Sequence, residues 1–249
     1  MNIFKGQEED FLRGPRERWR ELRYTIQVVF QFIRGFRALH FMGPCITVFG
    51  SARFKEDHPY YKLAGDVSRE ISKLGFTIMT GGGPGIMEAA NRGAKDAGGL
   101  SLGCNIVLEH EQHPNPYLDK YVNIQFFFVR KELLRKYSFA FIVMPGGFGT
   151  LDEFFETITL IETKKTEPFP VVIMGLEYHK HLIEHVQTMV LEQTISEEDS
   201  KLVIWTDSVE EAIQHINNCT MRMPDSIKLK RKHKPMWLLG EKHIERKAS

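Results

Sequence analysis

The stretch from Pro145 to Glu153, PGGFGTLDE, places three glycines within four residues and then a carboxylate. Glycines let a ligand reach backbone N–H groups, because no Cβ stands in the way. A helix starting there adds a partial positive charge, so a phosphate is the natural guest. Two further turns of small residues also follow apolar runs: Gly50-Ser51-Ala52, and Gly81 to Gly85 with Pro84 between glycines. The candidate ligand contacts are therefore Gly50, Ser51, Gly82, Gly83, Gly146, Gly147, Phe148, Gly149 and Thr150. Arg130 and Lys131, in VRKELLRK, are expected at the end of the strand before, on the same sheet edge. A glycine turn, a carboxylate and a basic pair together suit a phosphorylated substrate whose reaction develops positive charge. Thr150-Leu151-Asp152-Glu153 also reads as a capping box, Thr150 at the N-cap and Glu153 at N3. On that reading Glu153 serves only the fold. If Glu153 does act, the helix dipole should keep it ionised, which suits electrostatic stabilisation better than proton donation.

These residues need a scaffold, and from Pro44 onward the sequence alternates strand and helix. The apolar runs CITVF, FTIMT, LSLGCNIVL, VNIQFFFV, FAFIVM, FPVVIM and KLVIW read as strands. Amphipathic segments such as YYKLAGDVSREISKLG and IMEAANRGAKDAGG lie between them. Unbroken apolar strands alternating with helices predict a Rossmann-like, doubly wound α/β fold, its parallel sheet covered on both faces. In such sheets ligands bind beyond the carboxyl ends of the strands, at the switch point, where the three small-residue turns fall. The expected organisation is a helical N-terminal extension over residues 1–43, a nucleotide-binding catalytic domain over 44–223 and a basic tail over 224–249. In the extension, Trp19, Leu22 and Ile26, then Val29, Phe32, Ile33 and Phe36, recur at helical spacing. This stripe is read as an arm packed on its own domain or on a neighbouring subunit. A membrane-surface helix is disfavoured because acidic residues interrupt the basic face.

Composition narrows the function. The net charge of +1 over 249 residues gives no bulk attraction to nucleic acid or membrane. Three cysteines without a CxxC spacing point to a reducing compartment and no zinc ribbon. No leader peptide is recognisable and no apolar run is long enough to span a bilayer, so a cytoplasmic protein is expected. The first turn, VFGSARF, is not GxGxxG, and no acidic residue closes the next strand, which weighs against NAD. No GxxxxGK[ST] occurs, which weighs against P-loop triphosphate chemistry. His181, Glu184 and His185 fit an HxxEH zinc pattern. Their helix turns Leu182, Ile183, Val186, Met189 and Val190 to one side, so they read as a solvated face. His110 and His113 sit in a Pro-rich loop, where a loop role or a ligand contact outweighs a metal. No cofactor or metal is expected.

PGGFGTLDE preceded by Arg130-Lys131, together with GGGPGIMEAANRGA from Gly81 to Ala94, resembles the Lonely Guy family over roughly Pro44 to Ile216. The resemblance implies a cytokinin riboside 5′-monophosphate phosphoribohydrolase. Such an enzyme cleaves the N-glycosidic bond of an adenosine-type nucleoside 5′-monophosphate to free base and ribose 5-phosphate. It implies Arg130 and Glu153 as the catalytic pair. It further implies substrate contacts from Lys131, Gly146 to Thr150, Thr159 and Glu111, and a homodimer or larger homo-oligomer. Two features depart from the short plant-type members: a longer arm and tail, and Asp152 where glutamate is common. Related proteins also carry the label lysine decarboxylase, for which the sequence offers no pyridoxal-binding lysine context. The rival from another class is a module of the same fold that carries a nucleotide or a nucleotide-like cofactor without cleaving it.

Overall fold

The structure, a computed structural model, describes residues 7–107 and 113–222. The basic tail, Glu111 and His110 lie outside the described residues. Two N-terminal helices, α1 (Gln7–Leu12) and α2 (Arg18–Leu39), precede β1 (Cys45–Phe49), α3 (Pro59–Lys73), β2 (Thr77–Thr80), α4 (Ile86–Asp96) and β3 (Ser101–Ile106). Then come β4 (Lys120–Ile124), α5 (Phe127–Lys136), β5 (Ser138–Val143), α6 (Phe148–Glu162) and β6 (Val171–Ile173). The described chain closes with α7 (Lys180–Leu191), α8 (Glu197–Ser200), β7 (Val203–Trp205) and α9 (Val209–Arg222).

All seven strands are parallel, in the order β4-β3-β2-β1-β5-β6-β7. The order runs outward from β1 in both directions, so the switch point lies between β1 and β5. Alternation along each strand feeds two cores. On one face Phe49, Phe141 and Val143 pack with Leu133 of α5 and Phe154 of α6. On the other, Ile46, Val48 and Ile142 pack with Val67 of α3, Ala90 of α4 and Ile216 of α9. Among the described residues no helix is long and apolar enough to cross a membrane.

Three local readings change. The run VNIQFFFV is not one strand, because β4 ends at Ile124 and α5 begins at Phe127. The cause is a change of period: Phe126, Val129 and Leu133 are buried at helical spacing, while Phe127 and Phe128 between them are exposed. Arg130 and Lys131 therefore sit on α5 and not at a strand end. The capping box at Thr150 is absent as well. Gly147 takes the N-cap of α6 without a side-chain cap, so Thr150 falls at the third helical position and Glu153 at the sixth. A capping box does form at Ser196 and Asp199, where Ser196 Oγ accepts from Asp199 N–H and Asp199 Oδ2 from Ser196 N–H. It starts α8, a short helix the sequence reading left out.

Candidate active site

The turns after β1 and β5 face each other across the switch point and are tied directly. Ser51 N–H donates to Pro145 O at 2.9 Å, and Ile86 N–H, opening α4, donates to Ser51 O at 2.9 Å. Gly85 permits this approach. Its φ is +69°, and a Cβ there would stand 2.5 Å from Ser51 O. The turn after β2 rests on a buried polar network. Thr80 Oγ1 accepts from Gly82 N–H at 2.9 Å and donates to Asn91 Oδ1 at 2.7 Å. Asn115 Nδ2 donates to Gly83 O at 3.0 Å and to Asn91 Oδ1 at 2.9 Å.

Between these turns lies an open cavity of about 670 Å³. Gly50 and Ser51 line it on one side, and Gly146, Gly147, Phe148, Gly149 and Thr150 on the other. The leading N–H groups of α6 lack intrahelical acceptors, as in any helix, and this end of α6 borders the cavity. Phe148, at the tip of the turn, is 95% exposed.

Arg130 and Glu153 both line the cavity, with Arg130 Nη1 3.8 Å from Glu153 Oε1. Arg130 is fixed by its Nε, which donates to Cys104 O at 2.9 Å. Its guanidinium passes over Gly81, where a Cβ would stand 2.5 Å from Nη2. Glu153 is only 4% exposed. Burial pushes its carboxyl up to about 7, against the downward pull of Arg130 and Lys131. This corrects the expectation of a firmly ionised first-turn carboxylate. Glu153 stands beyond the first turn, where the helix charge is concentrated, and desolvation is the larger effect. A carboxyl poised near neutrality can both hold and release a proton.

Other candidates fall elsewhere. Gly82 and Gly83 belong to the Asn115 network and do not line the cavity; Gly81 does. Lys131 points away along α5, its Nζ 2.9 Å from Asp152 Oδ2 and 2.6 Å from Glu156 Oε2. Thr159 lies further along α6, exposed, and donates to Phe155 O at 2.8 Å. His181 is on the surface against Glu184, and no group of three or more metal-ligating side chains occurs among the described residues.

The sequence reading missed one wall. Phe54 and Tyr178 line the cavity and are linked through Tyr60, with ring centroids 5.7 and 6.4 Å apart. Tyr178 O–H also donates to Gly146 O at 2.8 Å, bracing the glycine turn. The available signal was position, since Tyr178 follows β6 at the same edge of the sheet.

A family model described as possible lysine decarboxylase matches residues 87–216, just over half of the chain. A cytokinin riboside 5′-monophosphate phosphoribohydrolase of Rhodococcoides fascians is 27% identical over 179 residues, 70% of this chain and 89% of that protein. A pyrimidine/purine nucleotide 5′-monophosphate nucleosidase of Escherichia coli K12 is 26% identical over 68% of this chain, which spans 40% of that longer protein. Among solved structures, the Moco carrier protein of Chlamydomonas reinhardtii has the same fold at 23% identity, with a TM-score of 0.53 over 73% of this chain and 99% of that one. The chain thus belongs to the family of the matching model, the Lonely Guy family that its two glycine-rich blocks resemble.

Proposed function

We propose that this protein hydrolyses the N-glycosidic bond of purine nucleoside 5′-monophosphates, AMP or its N6-substituted cytokinin forms, to free base and ribose 5-phosphate. The observation that carries the reading is the loosely paired Arg130 and Glu153, held in one cavity beside the glycine-rich start of α6. The 5′-phosphate takes the N–H groups of that turn. The base lies against the aromatic wall of Phe54 and Tyr178. Breaking the C1′–N bond passes through an oxocarbenium-like state. Ionised Glu153 stabilises that cation and accepts a proton from water, whose oxygen joins C1′. The departing base takes up one proton and Glu153 gives up the one it took from water, so one water is consumed and atoms and charge balance without a metal or redox cofactor. Arg130, fixed on Cys104 O, clamps phosphate or ribose oxygens or assists the leaving base. The same reading makes the protein a cytoplasmic homo-oligomer, and three cysteines without a CxxC spacing support a reducing compartment.

The test is incubation of pure protein with AMP and with adenosine. AMP should yield adenine and ribose 5-phosphate. Adenosine should turn over roughly a hundredfold more slowly, the scale of two lost charge-assisted hydrogen bonds. Equal turnover of both would remove the phosphate site. Tight retention of unchanged AMP would replace the hydrolase with a carrier.

A further inference from the structure

Helix α2 docks on the body by one apolar side, through Tyr24, Val28, Phe32, Ala38 and Leu39, and carries a second apolar stripe outward. Tyr24, Gln31, Gly35 and Leu39 are buried, Tyr24 against the Phe126 ring and Gln31 hydrogen-bonded to Gln125 at 3.0 Å. On the opposite side Trp19, Leu22, Ile26, Val29, Ile33 and Phe36 are exposed, as is Phe30 beside them. Trp19 is 72% and Phe30 64% exposed. These side chains cover roughly a third of the circumference at about 3.6 residues per turn. Taking ~150–250 Å² for a fully exposed large side chain, they leave on the order of 700 Å² of apolar surface in water. That exceeds the largest patch usual on a monomer, about 300–600 Å², and approaches the ~800 Å² per partner of a standard interface.

Three observations decide what covers it. The first is spacing: from Trp19 to Phe36 the six residues are separated by 3, 4, 3, 4 and 3 positions, the seam of a coiled coil, which another helix fills. The second is the flank. Arg23 and Arg34 border the apolar face, whereas Glu21, the one acidic residue of α2, accepts from Arg16 Nε at 3.3 Å beside the Tyr24 ring. The acidic interruption of the basic face expected from sequence is therefore absent from the outer side of α2. The third is the charge of the body. Residues 44–223 carry 17 Lys and Arg against 24 Asp and Glu, a net charge of −7, and residues 1–43 carry +3. An arginine-flanked seam complements the acidic body of another copy.

We propose that the outer face of α2 is the contact between copies of this chain. The seam takes the α2 of a second copy, and the arginine flank lies over that copy's acidic body. A two-fold symmetric contact of this kind is self-complementary. The inference rests on the homo-oligomer part of the proposed function and is independent of hydrolysis. The test is light scattering of the full chain at micromolar concentration, beside the Ile26→Asp/Ile33→Asp and Arg23→Glu/Arg34→Glu variants. All four positions are exposed, and circular dichroism checks that each variant is folded. The parent should scatter as a multiple of 28.9 kDa. The aspartate pair should fall to a single chain, and the glutamate pair should lose assembly at concentrations where the parent keeps it. A monomeric parent overturns the interface and the oligomer together. An oligomeric parent whose folded variants assemble unchanged overturns the interface alone. Co-sedimentation of the parent, but not the aspartate pair, with phosphatidylserine–phosphatidylcholine vesicles overturns the second copy as occupant.

Discussion

Arg130 and Lys131 are neighbours on α5, and Asp152 and Glu153 are neighbours on α6, yet the two acid–base pairings have opposite characters. Lys131 is closely matched, held at 2.9 Å by Asp152 and at 2.6 Å by Glu156, and Glu156 is shared with Arg135 at 3.5 Å. This is a strap between two helices, with its charges spent on each other. Glu153 is buried, Arg130 is half-buried, and the two stand 3.8 Å apart beside an open cavity. Their charges are not neutralised by close contact, and burial strengthens whatever they do to a third group. The difference of one residue on each helix separates a fastening from a loosely matched pair at the cavity. Helical geometry is the reason, since successive residues point about 100° apart.

The comparison breaks first at Arg130. Arg130→Ala should lower turnover roughly a hundredfold or more, the scale for losing a preorganised electrostatic group. It should also move the pH midpoint of turnover above 7, because Arg130 pulls the Glu153 carboxyl down. A pH–rate profile of the variant reads both; an unmoved midpoint would separate Arg130 from Glu153. Next, for the unaltered protein, the proposed mechanism needs ionised Glu153. It should therefore fall as pH drops through about 7, approaching tenfold per unit below it. A flat profile between pH 5 and 9 would count against the carboxylate. The smallest effect belongs to the strap. Lys131→Ala should cost about 1 kcal/mol or less in urea unfolding and leave turnover within a few-fold of the parent. A hundredfold loss there would return Lys131 to the substrate, as the family resemblance implies.

The sheet was legible because strands buried on both sides read as unbroken apolar runs, and all seven were found. Boundaries were less legible where one period passes into another, as at Phe126 to Val129, since an apolar run alone does not distinguish strand from helix. The cavity followed from three glycine turns at one sheet edge. The state of Glu153 did not, because desolvation depends on neighbours from β3, α5 and α6 that no local window contains. Phe54 and Tyr178 were missed for a similar reason: aromatic residues in loops carry no motif until the strands are ordered. The outward direction of the α2 stripe was equally hidden. Periodicity reveals that a helix has an apolar side, and only packing reveals which side meets the body.

The most direct test of Glu153 pairs two measurements on the Glu153→Gln variant, thermal unfolding and AMP turnover, both at pH 8. In the unfolded chain the carboxyl titrates at its ordinary 4.5, and in the fold at about 7. The folded state therefore holds the proton more firmly and loses stability as pH rises between those values, by up to about 3 kcal/mol above both. Glutamine keeps the shape without the buried charge. The account predicts that the variant melts at or above the parent's temperature, by as much as several degrees at about 2–4 °C per kcal/mol, while turnover falls roughly a hundredfold or more. A well-folded variant that hydrolyses AMP at nearly the parent's rate would contradict it and leave Glu153 a residue of the fold alone.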